Sequence, residues 1–126
     1  MKYVVKTNNQ FLADLPRYAG ITTEDAREAA DYILENSQSE LEEEYDEMLD
    51  ECYGDINIFG IEYSTSVALY RVDKVAYDCG MNDYQDGRAE DMKYEIERMD
   101  DGEEETYYDY TITAVEEEEE ETKTAI

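Results

Sequence analysis

Histidine is absent from all 126 residues. Its absence removes the usual general base at neutral pH, the Ser-His-Asp and Cys-His nucleophilic arrangements, and the commonest zinc ligand. Neither a GxGxxG nor a GxxxxGKS/T phosphate loop occurs. Cysteine occurs twice, at Cys52 and Cys79, without CxxC spacing. Acidic neighbours make Cys52 a poor thiolate nucleophile. In a cytosolic chain the two read as reduced and partly buried, with a disulfide or a shared metal as the alternative. Carboxylate-only catalysis of the glycosidase kind needs just a pair at the right separation. Among 36 acids some pair always fits, so that signal has no specificity. The chain reads as a non-enzyme without a cofactor.

Proline is scarce too, Pro16 being the only one, and no run of about 18 apolar residues occurs. The start, "MKYVVKTNNQ", lacks the apolar stretch of a signal peptide, so a cytoplasmic protein is expected. Bases number ten against the 36 acids, a formal charge of −26. Such a surface repels phosphates, which disfavours direct binding to DNA, RNA or an anionic membrane. A strongly basic partner is favoured instead, and proteins that bind nucleic acid are the largest class of those.

High charge with low hydrophobicity marks disorder. Here 41% of the residues are hydrophobic and 13 are Tyr, which points to a folded chain with a disordered end. A single acidic domain is expected over 1–115, followed by a flexible acidic tail, "EEEEEETKTAI", over 116–126.

Along the chain, "KYVV" (2–5) reads as a short strand. A short helix follows, capped by Thr7 or Asn8, running to about Leu15 and ended by Pro16 and Gly20. Thr22 and Thr23 before Glu24 and Asp25 signal a helix start. Ala26, Ala29, Ala30, Ile33 and Leu34, then Leu41, Tyr45, Met48, Leu49 and Cys52, keep a 3.6-residue stripe. "NSQS" (36–39) is a candidate break in it, and Gly54 a natural stop. "DINIFGIEYS" (55–64) alternates like a strand. "STSVALYRVD" and "DKVAYDCGMNDYQDG" suggest two short helices, the second closed by Gly87. "DMKYEIERM" (91–99), with Met92, Tyr94 and Ile96 on one face, and "TYYDYTITAV" (106–115) alternate at period two around "DDGEEE" and read as a hairpin. The expected class is α+β: helices from 8–52 and 66–87 packed on a small antiparallel sheet of 55–62, 91–99 and 106–115.

The acids are not evenly spread. Residues 24–55 hold fourteen with one base, Arg27, and 100–121 hold twelve with none. The intervening 56–99 keeps Arg71, Lys74, Arg88, Lys93 and Arg98. "SELEEEYDEMLDECYGD" (39–55) alone carries nine carboxylates. As a helix it sets Glu40/Glu44, Glu42/Asp46, Glu43/Glu47, Asp46/Asp50 and Glu47/Glu51 at i, i+4, each pair costing roughly 0.2–0.5 kcal/mol. A calcium loop does not explain this. "DINIFG" places Asp55, Asn57 and Gly60 as an EF-hand would, but Phe59 and Ser66 fall where ligands are needed. On the scale of duplex DNA, about one charge per 1.7 Å, −26 matches roughly 13 base pairs.

The small size, "ELEEEYDEMLDE", "DDGEEETYYDY" and "EEEEEE" resemble the acidic DNA-mimic proteins by which phages and mobile elements block bacterial defence. That class includes restriction-enzyme inhibitors and many anti-CRISPR proteins. The resemblance implies an inhibitor that occupies the DNA-binding cleft of a defence nuclease, the Cas9–guide RNA complex foremost, against the arginines that read the PAM. It makes Glu43, Asp46, Glu47, Asp50, Glu51 and Asp55 phosphate surrogates on the helix. Asp100, Asp101, Glu103, Glu104, Glu105 and Asp109 take that role on the hairpin, with Tyr45, Tyr53, Tyr107 and Tyr108 as candidate stacking partners for guanidinium groups. The alternatives are a soluble acidic phage structural or accessory protein and an acidic chaperone of a basic protein.

Overall fold

A computed structural model describes residues 1–116. Among them the fold is α+β. In chain order the elements are β1 (Lys2–Thr7), α1 (Gln10–Ala13), α2 (Pro16–Ala19), β2 (Gly20–Thr23), α3 (Ala26–Glu35), α4 (Gln38–Tyr53), β3 (Asp55–Ile58), β4 (Ile61–Ser64), α5 (Thr65–Val72), α6 (Lys74–Glu97), β5 (Glu104–Tyr107) and β6 (Tyr110–Val115). They form two compact units, one from residues 1–37 and from 89 onward, the other Gln38–Arg88.

The first unit is built on an antiparallel sheet in the order β2-β1-β6-β5. Alternation in β1 and β6 turns Tyr3, Val5, Ile112 and Ala114 into the core, where Ala26, Ala29, Ala30 and Ile33 of α3 are buried with them. The last stretch of α6 adds Ala89, Met92 and Ile96. Tyr110 is buried too, and its hydroxyl donates to the Tyr18 carbonyl at 2.8 Å. Burial, followed by the neighbouring Tyr32, pushes its pKa up to about 12. Gly20 sits at φ 151°, and a Cβ there would lie 1.9 Å from the Val5 carbonyl oxygen. Only glycine lets β2 lie against β1 at this point.

The second unit has a smaller core of Tyr45, Leu49 and Tyr77, with Met48, Leu69, Met81 and Tyr84 packed against it. Gly80 belongs to this packing, because a Cβ on it would stand 2.2 Å from the Tyr45 hydroxyl. That hydroxyl donates to the Tyr77 carbonyl at 3.0 Å. Gly54, at φ 71°, ends α4 as a left-handed cap, its N–H bonded to the Asp50 carbonyl at 2.9 Å.

Several expectations need correction. Residues 91–99 are not a strand but lie mostly in α6: Met92 and Ile96, four apart, are both fully buried, while Tyr94 between them is 51% exposed. Their apparent alternation is two turns of helix. Gly80 and Gly87 are carried inside α6, so Gly87 closes nothing. The C-terminal hairpin is real but pairs β5 with β6 around Tyr108 and Asp109, and "DDGEEE" leads into β5 instead of forming its turn. Residues 55–62 do not join the four-stranded sheet; they fold back as β3–β4, a separate two-stranded ribbon. The helix expected from 8 to 15 is two single turns, capped by Asn9 and opened again by Pro16 at its first position. Thr23 ends β2, and the cap of α3 is Asp25, whose carboxylate accepts the Arg27 N–H at 2.9 Å. Beyond Glu116 the expected tail lies outside the described residues. Among the described residues no helix is long and apolar enough to cross a membrane.

Candidate functional site

The six carboxylates expected on the first acidic face all fall in the second unit, on α4 and at the start of β3. Leu41, Tyr45 and Leu49 turn inward. The helical period then carries Glu43, Glu47 and Glu51 to the opposite, solvent side, about 6 Å apart along the axis. All three are exposed, and among the described residues none is seen with a hydrogen-bond or ion-pair partner. From Glu40 to Glu51 there are eight carboxylates. Over about 18 Å of helix that is roughly one charge per 2.2 Å, close to the 1.7 Å of duplex DNA.

Asp46 and Asp50 are differently placed, both only partly exposed. Asp46 accepts the Tyr77 hydroxyl at 2.6 Å, with Glu42 on the same hydroxyl at 3.2 Å. Burial, reinforced by the hydrogen bond to Asp46, raises the Tyr77 pKa far above the phenol range. Asp50 accepts both the backbone N–H and the hydroxyl of Ser66, at 2.8 and 3.1 Å, and so fastens α4 to the start of α5. Glu44 accepts the Tyr84 hydroxyl at 3.3 Å and lies 3.9 Å from the Arg88 guanidinium. These inner carboxylates are part of the packing. Asp55 is exposed, in register with Ser64.

The second acidic group lies in the first unit, between α6 and β6. Asp100, Asp101, Glu103, Glu104 and Glu105 are exposed and Asp109 is half-buried. Much of this group closes on itself. The Glu103 carboxylate accepts the Asp100 N–H at 2.7 Å, Asp101 accepts that of Glu116 at 2.8 Å, and Glu104 accepts the Thr113 hydroxyl at 3.3 Å. A shallow groove of about 400 Å³ is lined by Glu103, Glu104, Glu105, Glu95, Met99 and Arg98, so one basic residue lies among these acids.

Of the four tyrosines expected to stack on a partner, Tyr45 and Tyr107 are buried and cannot do so. Tyr53 is exposed and Tyr108 half-buried. Cys52 and Cys79 are free thiols, and both are exposed instead of partly buried. Among the described residues no group of three or more Cys, Asp or Glu is placed to hold a metal ion. Sequence reasoning missed Tyr77, Tyr84 and Ser66, the donors that hold the inner carboxylates. Their spacing from α4, some 16 to 40 residues, gives no local signal. Compared with protein-family models, curated proteins and solved structures, the chain matches none.

Proposed function

We propose that the protein is a DNA-mimic inhibitor whose α4 ridge enters the cationic DNA-binding cleft of a bacterial defence nuclease, with guide-loaded Cas9 as the leading target. The observation that carries this is the state of Glu43, Glu47 and Glu51: exposed, aligned and without a hydrogen-bond or ion-pair partner among the described residues. Their two i, i+4 repulsions cost the helix roughly 0.4–1 kcal/mol and serve no contact within the unit. Arginine grips carboxylate and phosphate through the same planar fork, so a rigid row of carboxylates can occupy arginines that read PAM DNA. The chemistry required is charge presentation alone. It needs no nucleophile, metal or cofactor.

The test reverses the ridge without touching the packing. Glu43→Lys, Glu47→Lys and Glu51→Lys together should weaken binding to guide-loaded Cas9 by about 100-fold, or about 2.7 kcal/mol. The circular-dichroism spectrum and unfolding midpoint should be retained. Undiminished binding by the folded variant would remove α4 from the interface. Reversing Asp46 or Asp50 would be a poorer test, because the contacts to Tyr77 and Ser66 would go too.

A further inference from the structure

The ribbon β3–β4 has two unlike faces. Register pairs Ile56 with Tyr63 and Ile58 with Ile61, while Asp55 meets Ser64 and Asn57 meets Glu62. Directly paired residues share a face, so one side is apolar and the other polar. The apolar side is poorly covered: Ile56 is 38% exposed and Ile61 56%. At the tip stands Phe59, 100% exposed and at φ 52°, followed by Gly60 at φ 82°. Two central residues at positive φ are the pattern of a type I′ turn, which favours Asn-Gly and not a bulky first residue. The Asn57 side chain holds the turn by accepting the Gly60 N–H at 2.9 Å.

Phe59 is therefore costly twice over, in backbone conformation and in exposed apolar surface, and makes no packing contact that repays either. Tyr108, the other non-glycine residue at positive φ among the described residues, is half-buried. Local folding does not account for Phe59. Unexplained backbone strain of this kind accumulates at functional positions.

We infer that the Phe59 ribbon is an apolar anchor that inserts into a hydrophobic pocket rimmed by Arg and Lys on the same basic partner that takes the α4 ridge. The inference rests on the DNA-mimic reading. Charge selects this occupant. The ribbon emerges directly from α4 and carries Asp55 and Glu62 on its polar face, in a unit with fourteen acids against three bases. A second copy of the chain and an anionic lipid surface are both repelled, whereas a cationic rim is attracted. An aromatic in a pocket ringed by charge pairs is also the usual make-up of an interface hot spot. The ridge thus supplies long-range attraction and the anchor supplies residence time.

Phe59→Asn separates folding from binding, because it restores the favoured Asn-Gly turn while deleting the aromatic. Wild type, Phe59→Asn and the ridge-reversed triple variant would be titrated into guide-loaded Cas9 at two salt concentrations, alongside urea unfolding and sedimentation of the free proteins. The expected result is an unfolding midpoint equal to or above wild type, binding weakened about 10-fold or more, and an unchanged salt dependence. Equal affinity of Phe59→Asn and wild type would overturn the anchor and leave the ridge reading intact. A lowered midpoint would overturn it by making Phe59 structural. Self-association lost in Phe59→Asn would replace the partner by a second copy. Failure of the wild type itself to bind would overturn the Cas9 reading and the anchor with it.

Discussion

The two units differ in how they engage their excess of carboxylates. In the first, bases and backbone amides engage part of it: Arg27 bridges Asp31 at 3.0 Å and Glu90 at 2.9 Å, and Lys93 lies 3.3 Å from Glu90. Around residues 100–116 the acids bond to neighbouring N–H groups. In the second unit, tyrosine and serine hydroxyls hold the inner carboxylates of α4, while the outer row is left to solvent. Total charge therefore says little about role. A carboxylate that already accepts from its own chain is held in place with part of its acceptor capacity used, whereas Glu43, Glu47 and Glu51 have no such bond among the described residues.

The largest effect expected from single substitutions concerns the first unit's dependence on close backbone packing. Gly20→Ala should destabilise it by about 3 kcal/mol, since the new Cβ meets the Val5 carbonyl and the backbone stays at φ 151°. Thermal unfolding by circular dichroism would show this, and an unchanged midpoint would mean that β2 is not seated as described. Tyr77→Phe should cost the second unit about 1.5 kcal/mol in urea unfolding, because Asp46 loses a charge-assisted partner. If it costs nothing, the distinction between inner and outer carboxylates fails.

Alkaline pH acts on both units in the same direction. Tyr110 titrates near 12 in the folded protein against 10.0 for a free phenol, so the native state binds more protons in that window. Its contribution is complete below pH 10 and falls as pH rises towards 12. Tyr45, Tyr77 and Tyr84 are likewise raised by burial, so the second unit should also weaken as pH rises above the free-phenol value. Chemical denaturation at pH 8, 10 and 11 would reveal the decline, and a rise would contradict it. The smallest effect is assigned to the first unit's acids. Asp101→Lys, Glu104→Lys and Glu105→Lys together should weaken Cas9 binding by about threefold or less, the behaviour of rim charges. A loss as large as that of the ridge variant would put both units in the interface.

Local signals made some elements readable and hid others. β1, the separation of α3 from α4 at Asn36 and Ser37, the Gly54 stop and α5 follow from residue type and short-range spacing. α6 is hard to read from sequence because Gly87 stands inside it where a helix stop is expected, and Met92, Tyr94 and Ile96 alternate like a strand although Tyr94 is exposed. β2 is only four residues long. β3–β4 escaped notice because its turn carries Phe59 where Asn is usual, and that same departure makes it informative. The acidic faces were visible as runs of letters. Which carboxylates are engaged was not, because the engaging hydroxyls come from other elements.

The most direct test of the central claim is the binding of PAM-containing DNA to guide-loaded Cas9 as this protein is added, repeated at rising salt. The account predicts that DNA is displaced at low salt and that binding recovers as salt screens the carboxylate–arginine contacts. DNA binding that is undisturbed at low salt, or inhibition that does not relax with salt, would contradict it.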